Sequence, residues 1–505
     1  MLLTTIVFLP LLGAIAILLV PGNRVALIKG VATAATALAL LLSICLVVRF
    51  DYKNAEMQFQ EKAAWIPSIN VNYHLGADGL SVGLIFLTGL LGFFACVASY
   101  GIPMRQKEYF FLYLLLCTGM FGTFAALDLF LFYVFWEVVL VPMYFLIGIW
   151  GGPRKEYAAI KFFVYTLAGS VFMLLSILAL YFASEPHTFD MLALRDVLSS
   201  PALSGKSTVL GLSRGAFGIL VFIGFYLGFA IKVPVFPFHT WLPDAHVEAP
   251  TPISVLLAAI LLKMGGYGFF RISFPMLPDA ARTLALGFAI LGVINIVYGA
   301  IVAMGQTDFK KMVAYSSVSH MGFVMLGLAS LNAVGFNGAL LEMFNHGAIT
   351  GGMFLLVGVL YDRAHTRDLN SFGGLGVQVP VYAGILTVFT LASLGLPGLS
   401  GFVSELLSLM GAFSSAAVPG IKILTIISVV GLVITAAYFL YMLQRILLGP
   451  LNEKWAGMPE INARELFTLV PIMIIIIAVG VYPSIALRYQ STALDLLVQY
   501  LALGG

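Results

Sequence analysis

Several ionisable residues stand inside runs of this chain that are otherwise apolar. Glu137 lies in Tyr133-Val134-Phe135-Trp136-Glu137-Val138-Val139-Leu140, Lys232 precedes Val233-Pro234, and Lys263 follows the long run from Ile253 to Leu262. His320 sits in a later run, Glu342 and His346 share the next one, and Glu405 follows a glycine- and proline-rich stretch. Carboxylate, amine and imidazole groups share one chemistry, the uptake and release of protons. At a rise of 1.5 Å per residue, Glu137 lies about 12 Å and Lys263 about 18 Å into a helix that begins with its run. Both depths are near the middle of a hydrocarbon layer roughly 30 Å thick. A charge there costs at least about 2.5–3.5 kcal/mol, and a fold has only about 5–15 kcal/mol of net stability. Such groups must therefore face one another or a hydrated path. Burial shifts lysine and carboxylate titrations toward the physiological range, where histidine already lies. A row of these groups can pass protons in turn.

Each position also has a structural reading. Glu137 and Lys232 can form a static ion pair that pins two helices, and His320 or His346 can bond a neighbouring backbone. Glu342, one turn before His346, can orient it. Lys263 has no acidic neighbour in sequence and Glu405 lies beside a helix break, so structural roles fit these two less well. His74, His187 and His365 read as loop residues. His239 and His246 read as lining an entrance, without the ligand set a metal site needs.

The elements that must position this row are membrane-spanning helices. Of 505 residues, 61% are hydrophobic and 10% charged, against about 25% charged in soluble domains. Mean hydropathy is +1.03. About fourteen runs meet the length of roughly 20 apolar residues that a crossing needs, centred near Gly13, Leu38, Leu90, Leu116, Val139, Leu174, Phe225, Ile260, Leu291, Phe323, Phe354, Phe389, Val433 and Ile475. They are apolar all round, which excludes a β-barrel. The fold class is an all-α polytopic membrane protein. Met1 to Val20 lacks the basic start and cleavage site of a signal peptide and reads as the first span. Cys45, Cys96 and Cys117 lie in spans without close spacing and form no framework. The net charge of +3 gives no footprint for nucleic acid.

Basic clusters occupy almost every second connection: Arg24 and Lys29; Arg105 and Lys107; Arg154, Lys155 and Lys161; Lys310 and Lys311; Arg363 and Arg367; Arg445, Lys454 and Arg464. This side should be cytoplasmic, which places both termini outside. The connection 50–77 contains Ser68-Ile69-Asn70-Val71-Asn72-Tyr73, an alternation suited to a β-hairpin, and 184–215, with Pro186 and Pro201, is a second connection able to hold structure. Two spans are broken, the seventh at Ile231 to Pro237 and the twelfth at Leu394 to Gly401, because proline removes a helix hydrogen bond and glycine permits unusual dihedrals. Breaks five spans apart predict two inverted five-helix repeats. The expected division is 1–108, three spans with an extracytoplasmic loop; 109–272, the first repeat; 273–448, the second; and 449–505, a cytoplasmic loop with span fourteen. No nucleotide motif or iron–sulfur cysteine set is present, so this chain cannot perform redox chemistry alone.

Long motifs then place the chain. Phe135-Trp136-Glu137 with Val141-Pro142-Met143-Tyr144, the segment Lys232 to Pro252, Leu262-Lys263-Met264-Gly265-Gly266-Tyr267-Gly268, Lys311 to Gly322 and Gly395-Leu396-Pro397-Gly398-Leu399-Ser400-Gly401-Phe402 occur in order. They resemble the antiporter-like membrane subunits of respiratory complex I, a family that also includes Mrp-type sodium/proton antiporter subunits. The tract Phe344 to Asp368, a glutamate at position 405 and the short end after span fourteen resemble the subunit M branch. The resemblance implies a proton-translocating subunit of an NADH–quinone oxidoreductase in a bacterial inner membrane. It implies Glu137 and Lys232 as a paired acid and base, Lys263 as the central carrier, His320 and His346 as relays, and Glu405 as the terminal group. It implies no cofactor or metal in this chain, with FMN, iron–sulfur clusters and quinone in partner subunits. The implied partners are the other membrane-arm subunits, including further antiporter-like ones, and the lipid bilayer. The alternative within the family is a sodium/proton antiporter subunit.

Overall fold

A computed structural model describes residues 1–198, 208–209 and 211–503. Thirteen of its helices are long and apolar enough to cross a membrane. They are α1 (Leu2–Leu19), α2 (Val25–Arg49), α3 (Val82–Gly101), α4 (Gln106–Ala125), α5 (Leu129–Trp150), α6 (Lys155–Ala183), α8 (Arg214–Lys232), α10 (Thr251–Met276), α11 (Pro278–Met304), α12 (Phe309–Ala329), α13 (Ala333–Ala364), α16 (Ile421–Leu447) and α17 (Ala463–Val481). Between them lie the shorter α7 (Met191–Leu198), α9 (Trp241–Glu248), α14 (Pro380–Ser393) and α15 (Ser400–Ser414), and α18 (Ser484–Leu503) follows. Each of the fourteen expected centres falls inside a helix, the twelfth in α14 of the divided pair α14/α15. Side-chain caps set several starts. Asp128 accepts from Phe130 and Leu131 N–H, Asp308 from Lys311 N–H, and Asn332 from Gly335 N–H, each satisfying donors that a helix start leaves free.

Burial grades from the middle outward. The apolar window of α10 is 100% buried and those of α12 and α13 are 94% buried, whereas α1, α2 and α16 are 33% buried. Leu12, Leu41, Ile426 and Val433 are exposed on these outer helices, where apolar side chains meet lipid. Helices in lipid gain little from burying apolar surface against one another and rely on close packing. At the α11/α12 contact a Cβ on Gly322 would lie 2.6 Å from the Gly292 carbonyl oxygen, so only glycine permits that approach.

On one face a hairpin pairs β1 (Gln58–Ile66) with β2 (Val71–Ala77). The alternating stretch is only partly strand, because Pro67–Ile69 forms the turn and β2 begins at Val71. The Met1 amine lies 3.2 Å from Glu61 of the hairpin, and Thr492 of α18 donates to the carbonyl of Tyr52, in the connection leading into it, at 2.8 Å. The hairpin is tied to the connection before α7 through Asp190, which receives Lys62 Nζ at 2.6 Å and faces His74 Nδ1 at 2.9 Å. Burial works to raise the Asp190 pKa, but hydrogen bonds with His74, Lys62 and the Ala193 backbone outweigh it and hold the carboxyl below the usual range. His74, read as a loop residue, is thus a buried strand residue. Within 184–215, α7 and a two-residue strand pair, Thr208–Val209 with Leu212–Ser213, are formed; Pro201 lies outside the described residues.

Candidate functional site

Both predicted breaks exist, and each is closed by an asparagine from a neighbouring helix. The α8 helix ends at Lys232, and the chain crosses to α9 through residues 233–240. There Phe236 N–H donates to Asn295 Oδ1 at 2.8 Å, and Asn295 Nδ2 donates to the Pro234 carbonyl at 3.0 Å. At the second break, Asn345 Nδ2 donates to the Ser400 carbonyl at 2.7 Å. Irregular backbone at membrane depth survives where protein satisfies it in this way. Gly395 has φ +78, and a Cβ there would lie 2.6 Å from Glu405 Oε2, so glycine is needed on both counts.

Lys232 Nζ is buried without a hydrogen bond and stands 4.8 Å from the Trp136 ring centroid. Glu137, on the same helix as Trp136, is half-buried beside the Tyr133 hydroxyl, with Oε1 buried and unpartnered. The alternative reading of Glu137 and Lys232 as a static ion pair is not met: no salt bridge joins them among the described residues. The two groups are near enough to act on each other electrostatically, but they are not locked together.

Lys263 is fully buried in α10, between two π-helical turns, Leu257–Leu261 and Phe269–Ser273. A π turn loosens the carbonyl ladder of an α-helix, and Lys263 Nζ donates to the Ala258 carbonyl in the first of them at 2.7 Å. The same Nζ stands 2.5 Å from His346 Nδ1 of α13. If Nδ1 accepts, His346 Nε2 carries the hydrogen, and this nitrogen is buried with no protein partner among the described residues. A buried donor in that state needs water.

The next group lies across a short gap. The His346 and His320 rings are 5.6 Å apart, centroid to centroid. His320 Nδ1 faces Glu405 Oε1 at 3.1 Å and Glu342 Oε1 at 3.7 Å, while Nε2 is 3.3 Å from Ser393 Oγ. Ser404 Oγ donates to Glu342 Oε2 at 2.6 Å. His320, Glu342, His346 and Glu405 line a cavity of about 10 Å³, the lower end of the ~10–15 Å³ that one water requires. Ligand atoms of His320, Glu342 and Glu405 lie within 4.8 Å of one another. A spacing that suits an ion also suits a shared proton: Glu342 Oε2 accepts from Ser404, and His320 Nδ1 stands against Glu405 Oε1.

Lys263, His346, His320 and Glu405 are thus one connected cluster, and Lys232 with Glu137 is a separate, looser pair. Glu342 joins the cluster through His320 and Ser404 and does not orient His346. Sequence reasoning missed Ser393, Ser404 and Asn345; Ser404 adjoins Glu405 and Asn345 adjoins His346, and Ser393 has no such neighbour. Lys310, read as part of a loop cluster, is 3% exposed and donates to the Ala249 carbonyl at 2.6 Å. His246 is stacked on Phe354 with centroids 4.5 Å apart, both of its ring nitrogens unpartnered.

Residues 126–435 match the family model described as NADH:quinone oxidoreductase/Mrp antiporter, TM. The chain belongs to this family. It is 42% identical to "NADH-quinone oxidoreductase subunit M" of Rhodobacter capsulatus, over 99% of this chain and 96% of the relative. It is also 42% identical to "NAD(P)H-quinone oxidoreductase chain 4 1" of Synechococcus elongatus, over 98% and 91%. Among solved structures it superposes with a TM-score of 0.87 and 29% identity on a chain of respiratory complex I from Thermus thermophilus with bound NADH, covering 100% of both. A chain of the Mrp complex from Dietzia sp. DQ12-45-1b gives 0.83 at 19% identity, again over 100% of both, a likeness of fold alone. Family members from the redox complexes are thus nearer in sequence than the antiporter.

Proposed function

We propose that the chain is a proton-translocating membrane-arm subunit of an NADH–quinone oxidoreductase, which moves protons through its buried row while partner subunits carry out the redox step. The observation that supports this most is the continuity of Lys263, His346, His320 and Glu405, each within one hydrogen bond or one water of the next. Protonation of Lys263 places a charge beside His346; transfer through the gap to His320 and on to Glu405 leaves the lysine free to be reloaded. Glu137 and Lys232 act as the input pair. Because they are not locked together, a charge change in the neighbouring subunit can alter their separation and the field at Lys263. Glu137 is half-exposed at mid-membrane depth, which favours a protein neighbour over lipid on that side.

In this reading the chain carries no redox cofactor; FMN, iron–sulfur clusters and quinone belong to the partners. The hairpin face with both termini is extracytoplasmic in a bacterial inner membrane, and the basic connections are cytoplasmic. The segments 109–272 and 273–448 are inverted repeats, each with its fourth span broken. The test is purification from membranes in mild detergent, followed by reconstitution. Flavin and iron–sulfur subunits should co-purify, and NADH oxidation with quinone should acidify the vesicle interior without added sodium. Proton movement that needs sodium and no NADH would establish the antiporter instead.

A further inference from the structure

Away from the proton row, an apolar slot of about 280 Å³ opens where α2, α3, α13, α17 and α18 meet. Val47, Gly83, Phe344, Ala478 and Ile485 supply its walls, and Arg488 stands among its lining residues. Of the polar side chains there, Gln490 is used, donating to the Asn337 carbonyl at 2.7 Å. Arg488 is exposed and forms no ion pair among the described residues. Its guanidinium lies 5.4 Å from the Tyr52 ring centroid and 5.0 Å from that of Tyr489, and it donates to the Tyr489 hydroxyl at 3.4 Å. Tyrosine and arginine together mark the water–membrane boundary, and α18 packs against the hairpin face where that boundary must run. An exposed cation without an ion pair among the described residues, lining an apolar slot between membrane helices, is complementary to an amphiphile with an anionic head.

We propose that this slot holds an anionic phospholipid, with its phosphate on Arg488 and an acyl chain between α3, α13 and α17. A neutral apolar molecule would leave the arginine unanswered, and a soluble anion would leave the slot unfilled. The site is distinct from the relay, although α13 carries Glu342 and His346 in neighbouring turns to Phe344.

The complex is purified in mild detergent, exchanged into vesicles of equal parts phosphatidylglycerol and phosphatidylcholine, and re-extracted; the retained lipid is then counted by class. Arg488→Gln should reduce the preference for phosphatidylglycerol about fivefold at this site, the effect of one basic residue near the membrane surface. Arg488→Lys should keep it. Gly83→Leu, whose Cβ would have only Phe344 Cδ2 nearby, at 3.9 Å, fills the slot and should lower retention of both classes. Unchanged retention in Arg488→Gln and Gly83→Leu overturns the proposal. So does an Arg488→Gln complex that keeps its lipid but sheds a neighbouring subunit, because the slot is then a protein interface.

Discussion

Replacing Lys263 with methionine separates a relay from a scaffold, because the two readings predict different losses. The lysine gives up two hydrogen bonds, to the Ala258 carbonyl and to His346 Nδ1. Hydrogen bonds of charged groups contribute about 1.5–3 kcal/mol each. Against that loss, the helix no longer carries an amine at mid-membrane depth, a cost of at least about 2.5–3.5 kcal/mol. The net destabilisation is therefore roughly 0–3 kcal/mol, below the ~5–15 kcal/mol that holds a fold, and methionine keeps most of the volume. The variant should assemble. Proton transfer should fare differently, since a positioned acid–base group contributes on the order of 10²–10⁴ in rate and, among the described residues, no other titratable side chain bonds to His346 Nδ1. The assay is the ratio of vesicle acidification to NADH oxidised in reconstituted complex, beside a native gel for assembly. The share of pumping carried by this chain should disappear with assembly intact. An unchanged ratio would refute the relay, and failed assembly with a normal ratio in the surviving complex would favour the scaffold.

Two further outcomes follow from contacts on the hairpin face. Arg271 donates to Asp78 Oδ2 at 2.8 Å through Nη1 and to Asp78 Oδ1 through Nη2, and its Nε donates to the Tyr267 hydroxyl at 2.9 Å, all buried. Asp78→Leu should cost about 3–5 kcal/mol by leaving a charge unpaired, lowering the melting temperature of the complex; Asp78→Leu with Arg271→Met should recover most of it, and equal losses in the single and double variants would argue against the pair. Asp190 has a folded pKa below its unfolded value of about 3.9, so its contribution is complete above about pH 4 and is lost as pH falls through the lower folded value. Hydrogen exchange of residues 58–77 should therefore be insensitive to this group from neutrality down to about pH 4 and quicken below it. Asp190→Asn should start faster and lack that acid step; an identical acid step in the variant would show that another group is responsible.

How much was legible in advance depended on what kind of signal each residue carries. Span positions followed from run length, since a helix in lipid must bury every backbone group within itself, and breaks followed from Pro234, Pro237, Pro397 and the glycines beside it. Lys263 and Glu405 were visible because charge in an apolar run is costly whatever the fold. What each charge touches was not visible. Glu342 is four residues from His346, a spacing that argues for contact on one helix face, yet it engages His320 and Ser404 on two other helices. Lys310 carries the same basic signature as its neighbour Lys311 but is buried against the Ala249 carbonyl. The asparagines that close the breaks, Asn295 and Asn345, act on chain segments about 60 residues away, and sequence spacing contains nothing of that distance. Local cost identifies which groups need a partner; only the packing of helices from distant parts of the chain decides which partner they find. Sequence left open whether Glu137 and Lys232 form an ion pair; the fold sets the carboxylate beside Tyr133 and the amine over Trp136, with no salt bridge between them among the described residues.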